Sequence, residues 1–432
     1  SSDLQKEAAC SKRCEPISCH LTRVGDKSTE EAETMTSRER VAEAVNFGTP
    51  DRVPIDLGGM RASGINAVVY HELKQRLGIH TPTKIWDKLQ ILAQVELDVL
   101  DRLHGDVVPL EPGLSRWAGQ RADDGVPVTL FCGQRVTFPP GTAIRTEPDG
   151  SWMHCDSAGT AFAHMPKDGY YFDYVRSTMS GDQINPDAFR PPTTVPDEEL
   201  EALRARADYL FRETDKAILG WGFSLSLLGM SALLSDNITQ GSLDNWLCML
   251  MTEKAAANDM MARYVDAVIA CLKLYHEAVG NRCVAWGIAS DDAGTQRSEL
   301  VSPELFEEMI KPHYTRLCDW VHTNTPWKTY LHSCGSIFRY IEHWIDAGID
   351  ILNPVQISAA NMDPDELMEA YGGKVVFWGG GCDTQSVLPK GSREEIRKHI
   401  KRNIAAFGQK GGYVFTQVHN IQQTVPVDNL LT

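Results

Sequence analysis

Short apolar runs of four or five residues alternate along this chain with longer stretches in which apolar positions recur every three or four residues. A strand covered on both faces reads as a continuous apolar run, and the helix that covers it shows a single apolar stripe, so the alternation predicts parallel βα units. Eight runs qualify as strands: Val53–Leu57, Val107–Leu110, Ala217–Trp221, Val284–Ile288, Lys328–Leu331, Ile349–Leu352, Val375–Trp378 and Tyr413–Thr416. Eight strands in one parallel series predict an α/β fold, a TIM (β/α)8 barrel. Between the second and third runs, about residues 113–200, the pattern turns to alternation punctuated by turn residues (VTLFCGQRVTF, then PDGSWMHCDSAGTAFAHM). That stretch predicts a β-hairpin insertion between strands 2 and 3.

Residues 1–34 are polar and without an apolar period, and read as a disordered or artificially appended N-terminal tail ahead of Met35, a plausible native start. From there the domain runs over residues 35–432. Thr36-Ser37-Arg38-Glu39 is a capping box, and Val41, Ala44 and Val45 follow at helical spacing, which predicts a helix leading into the first strand.

Charge narrows the function classes. The chain has 432 residues with 42 basic and 58 acidic side chains, a net charge of −16, which opposes binding to nucleic acid, anionic lipid or a polyanionic substrate. No apolar run approaches the roughly 20 residues of a membrane helix, and a cytoplasmic, soluble protein is expected. Eleven cysteines are scattered rather than framed in pairs. Such usage suits a reducing compartment, with some of them thiols or metal ligands. Cys10, Cys14, Cys19 and His20 have the chemistry of a zinc cluster but no ordered second half beside them.

In a TIM barrel the chemistry gathers where strands end. His332 and Cys334 stand two positions apart at one strand end, so their side chains leave the same face, and Cys382 follows a glycine run two units further round. A His-Cys-Cys set is the pattern of an open tetrahedral zinc site, whereas the bland reading makes both cysteines core thiols. Of the adjacent Asp291 and Asp292, one should face the pocket, and Asp292 is the choice. It would ligate metal, orient His332 or take a proton; the alternative is a helix N-cap. His419 after the last strand would ligate the metal or contact substrate, or be an ordinary loop histidine. Asp56, Arg61, Gln296 and Gln385 are candidate substrate contacts, with Gln422 a further polar candidate. Trp221, Trp286 and Trp378 would wall an aromatic substrate or a corrin ring, or simply pack the core.

Taken together, TSRERVAEAVNFGTPDRVPIDLGG, DDAGTQRSELVSPELFEEMIKPHY, LHSCGSI, GIDILNPVQ and VPVDNL resemble the uroporphyrinogen decarboxylase superfamily from about Met35 onward. The resemblance implies a TIM barrel and two branches: metal-free tetrapyrrole decarboxylases, and corrinoid-linked methyltransferases with zinc on an H-x-C-x(n)-C motif. Here that motif falls on His332, Cys334 and Cys382. A single Arg61 after the first strand, in place of an arginine-rich segment, and the acidic charge favour the methyltransferase branch. In thiol-directed members the last cysteine comes later, near the final strand, which Cys382 does not match. The hairpin region resembles members that demethylate small methylated, above all methoxylated, compounds.

These features imply a zinc-dependent methyltransferase that moves a methyl group between a small O-, S- or N-methyl compound and a corrinoid. In it Asp292 and His419 act at the heteroatom, and Trp378 and Gln422 meet the cofactor. The corrinoid-binding D-x-H-x-x-G signature is missing from the sequence, so cobalamin would arrive on a partner corrinoid protein. A homodimer is a possible assembly. Two alternatives stay open: a decarboxylase in which Asp56 or Asp106 stabilises a protonated pyrrole, and a non-catalytic corrinoid- or metal-binding scaffold.

Overall fold

The computed structural model describes residues 35–175, 184–229 and 243–432. The cluster of Cys10, Cys14, Cys19 and His20 lies outside the described residues. The first helix, Ser37–Val45, starts where the capping box places it: Thr36 accepts from the Glu39 backbone N–H, and the Glu39 carboxylate accepts from the Thr36 backbone N–H. That exchange satisfies two amide donors that a helix start leaves unpaired.

Seven parallel strands form one curled sheet in the order Tyr413–Val414, Val376–Trp378, Ile351–Asn353, Lys328–His332, Ala285–Ser290, Ala217–Leu225, Val107–Leu110. Helices Asp197–Glu213, Lys254–Val279, Lys311–Asn324, Phe338–Ala347, Pro364–Tyr371 and Arg393–Phe407 precede or follow them in alternation. Side chains sort by the period of two. Val107, Leu219, Tyr330, Ile351, Val376, Trp378 and Val414 pack inside with Val41 and Val45 of the first helix. Val108, Ile218, Trp286, Leu331, Leu352 and Phe377 face the helices.

The run expected as the first strand, Val53–Leu57, is reduced to a single parallel bridge from Ile55 to Phe415. The reason is Pro54, which has no N–H to give to a ladder. The segment still spans the two edges of the sheet. Phe415 donates to the Pro54 carbonyl at 2.8 Å, Asp56 to the Phe415 carbonyl at 2.8 Å, and Asp106 to the Ile55 carbonyl at 2.7 Å. The result is a TIM-barrel-like ring.

In the chain between Val107–Leu110 and Ala217–Leu225 lie antiparallel strands. Val126–Thr129 pairs with Arg135–Phe138, and Ala143–Thr146, Trp152–Cys155, Ala161–Met165 and Asp173–Tyr174 form a four-stranded sheet in that order. Phe138, Trp152, Ala163 and Met165 bury an apolar cluster with Ile85, Ile91 and Ile421. Among the described residues no helix is long and apolar enough to cross a membrane.

Candidate metal centre and cavity

Sheet register sets the site. Ser290, His332 and Asn353 stand side by side at the ends of three adjacent strands. His332 Nδ1 lies 2.6 Å from Asn353 Oδ1, and Asn353 Nδ2 donates to the Trp378 carbonyl at 2.8 Å. A carbonyl can only accept, so the Asn353 amide has one orientation, and its Oδ1 requires the proton of His332 on Nδ1. The lone pair is therefore left on Nε2, as a metal-binding imidazole needs.

That Nε2 lies 3.5 Å from Cys334 Sγ and 3.6 Å from Asp292 Oδ1. His332, Cys334 and His419 each offer a ligand atom, all within 4.8 Å of one another. The rings of His332 and His419 are 6.1 Å apart. Burial, and then the neighbouring His332, lower the His419 pKa and keep the ring neutral. Burial, followed by the Asp292 carboxylate, holds the Cys334 thiol well above its ordinary range. Two imidazoles and one thiol fit a zinc-type cation, whose binding would displace the Cys334 proton.

Cys382 does not belong to this cluster, which corrects the His-Cys-Cys expectation. Gly379 and Gly380, with φ of 144° and 65°, turn the loop, and its backbone zips to the last loop: Gly381 donates to Thr416 and Val418 donates to Cys382. The Cys382 side chain then faces the apolar cluster around Leu388 and Ile421, where burial pushes its thiol up to about 12. His419, from the partner loop, takes the third place.

A cavity of about 240 Å³ opens beside the cluster, lined by His332, His419, Asp292, Ser290, Trp221, Arg61, Glu111, Trp86 and Gln90 among others. Asp292 faces it, with a side chain 62% exposed, and accepts from the Cys334 N–H at 2.9 Å. It is not a helix cap; Ser302 fills that role for the helix at Pro303. Asp291 points the other way, fully buried, accepting from the backbone of Leu227, Leu228 and Gly229 and from the Tyr314 hydroxyl. The loops carrying Asp292 and Cys334 touch backbone to backbone. Gly335 has φ of 94°, and a Cβ on it would sit 2.2 Å from the Gly294 carbonyl oxygen.

Other expectations need correction. Asp56 is 1% exposed and accepts from Gly59 N–H at 2.7 Å and Trp378 Nε1 at 2.8 Å. It holds the loop that bears Arg61 and does not line the cavity. Burial raises its pKa to about 6. Trp378 is completely buried in the barrel interior, so no docking ring can reach its face. Asp106, also fully buried, precedes its strand and is bound by Arg40 and Arg52 at the far end of the barrel.

Gln385 is exposed and spends its N–H on Asp383. Gln296 is exposed and accepts from Gln356, which also accepts from the Gly335 N–H. Gln422 donates to Asn420, which donates to the cavity residue Gln90 at 2.5 Å. Sequence reasoning missed Asn353 as a lock, and Trp86 and Gln90 altogether. Asn353 was marked by its place at a strand end; Trp86 and Gln90 precede the second strand and carry no such mark.

The comparisons with known proteins accord with this architecture. A methyltransferase from Methanosarcina mazei superposes with a TM-score of 0.50 at 16% identity, covering 91% of this chain and 96% of that one. At that identity the likeness speaks for the fold. A GH113 β-1,4-mannanase reaches a TM-score of only 0.30 at 13% identity, with 55% and 75% coverage, and carries no argument. No curated protein sequence matches. The model of the uroporphyrinogen decarboxylase (URO-D) family, however, matches residues 175–432, more than half of the chain and every strand of the curled parallel sheet except Val107–Leu110. The chain belongs to the uroporphyrinogen decarboxylase family.

Proposed function

We propose that the chain is a zinc-dependent methyltransferase that moves a methyl group between a small O-, S- or N-methyl compound and a corrinoid carried by a partner protein. One observation carries the reading: a thiol and two imidazoles converge within 4.8 Å of one another, and both imidazoles line a small cavity. Bound there, zinc would supply a soft Lewis acid to the substrate heteroatom. Asn353 keeps the proton on His332 Nδ1, the cavity walls would align the substrate, and Asp292, which lines the cavity, would orient it or hold its proton. The fold shared with the Methanosarcina methyltransferase supports the reading.

The decarboxylase alternative loses support from the site itself. Arg61, in the cavity, is paired with Asp87 and Glu111, each at 2.9 Å, and Asp56 and Asp106 are both buried away from it. The test is elemental analysis of the purified chain, with methyl transfer to cob(I)alamin followed by absorbance across a donor panel. Stoichiometric zinc is expected, lost together with transfer in His332→Ala, Cys334→Ser and His419→Ala. A folded, metal-free chain whose activity survives chelation, or one that turns over uroporphyrinogen, would remove the proposal.

A further inference from the structure

We infer that the small-molecule substrate carries a zwitterionic head group, an ammonium beside a carboxylate as in an α-amino acid, held by Glu111 and Arg61; the inference rests on the methyltransferase reading of the same cavity. Arg61 and Glu111 both line the cavity, joined by a 2.9 Å contact from Nη2 to Oε1. Each keeps a free valence. Arg61 uses Nε for Asp87 and Nη2 for Glu111, and among the described residues its Nη1 has no hydrogen-bond partner. Glu111 spends Oε1 on Arg61 and on Trp86 Nε1 at 2.5 Å, while its Oε2 has no partner among the described residues. The Glu111 side chain is only 8% exposed, so that oxygen is a nearly buried acceptor on the cavity wall.

Charge selects the ligand class. One guanidinium between two carboxylates leaves this side of the cavity one negative charge in excess. An anion alone would meet Glu111 across the guanidinium, and a cation alone would meet Arg61. A molecule with both charged groups on one carbon gives its carboxylate to Nη1 and its ammonium to Oε2, completing both groups with charge-assisted hydrogen bonds. Trp86, pinned through its indole N–H to Glu111, and Asp87, which also accepts from Leu89 and Gln90, hold the pair in place before any ligand arrives.

Calorimetric titration of the full chain with L-methionine, a methylated thioether with such a head group, tests this against N-acetyl-L-methionine and L-methioninol. S-methylcysteine and O-methylhomoserine extend the panel. Loss of either charge should weaken binding at least about tenfold. Glu111→Gln should weaken L-methionine by about the same factor and leave the N-acetyl compound unchanged; Arg61→Gln should do likewise with L-methioninol. Equal binding of the modified ligands, equal weakening of all three by the variants, or no binding by any zwitterion of the panel overturns the inference. The ligand series needs no variant to fold. Zwitterion binding with this pattern in a chain that transfers no methyl group keeps the inference and removes the methyltransferase reading. Methyl transfer from donors without a charged head does the reverse.

Discussion

Replacing Asn353 with leucine tests the tautomer lock most directly. The side chain is 1% exposed, its amide nitrogen donates to a carbonyl of the fully buried Trp378, and its oxygen faces the Nδ1 of His332, itself 6% exposed. Leucine fills a similar volume with no polar atom, leaving a buried N–H and a buried carbonyl unpaired. At about 1–3 kcal/mol each, the loss of stability should be roughly 2–6 kcal/mol. Without the lock His332 also populates the tautomer with its proton on Nε2, and metal affinity should fall about 10- to 100-fold, the range for residues that orient a ligand. Urea unfolding of the metal-free protein reads the first quantity and chelator competition with zinc reads the second. Asn353→Asp, which keeps the acceptor toward His332 and loses only the donor to Trp378, should retain most of the affinity. If Asn353→Leu folds and binds zinc as tightly as the parent, the lock does not govern the site and the argument from Asn353 is wrong.

Further expectations follow from neighbouring residues. Gly335→Ala places a Cβ 2.2 Å from the Gly294 carbonyl at φ of 94°, so the two site loops must part; a loss of about 1–3 kcal/mol, with weaker metal binding, should appear in the same assays. Cys382→Ala should keep full zinc stoichiometry by elemental analysis while His419→Ala loses it, and the reverse result would restore the His-Cys-Cys set. For Asp56 the folded pKa, about 6, is above the unfolded value, so its contribution is fully present below about pH 4 and is lost as pH rises through 6. Two units correspond to about 3 kcal/mol, so Asp56→Asn should gain stability relative to the parent by about that much between low and neutral pH in paired urea titrations. A constant difference across that range would refute the buried-carboxylate account.

Much of the barrel was legible because buried parallel strands are apolar on both faces, as in Val107–Leu110 and Val376–Trp378. The first segment was misjudged because its composition reads as a strand while Pro54 denies it the ladder. At the site, His332, Cys334, Asp292 and His419 were visible from their positions at strand ends, but the choice between Cys382 and His419 was not. It depends on which way a loop turns after three glycines and on which neighbouring loop it pairs with. Asp56 and Trp378 were taken for contacts because a strand-end position does not distinguish a side chain facing the cavity from one directed into the barrel interior. Arg61 was read as a substrate contact, but its pairing with Asp87 and Glu111 was not legible because both are distant from it in sequence.

Asn353, Trp378 and Asp56 form an internal strut: from His332 the hydrogen bonds run through the Asn353 amide to the Trp378 carbonyl, and from the Trp378 indole through Asp56 to the Gly59 N–H. One end of this strut aims an imidazole, and the other anchors the turn that presents Arg61. Anyone redesigning the cavity for another ligand would therefore find that shortening or stiffening the strut shifts both ends at once, whereas Trp86 and Gln90 lie outside its chain of hydrogen bonds.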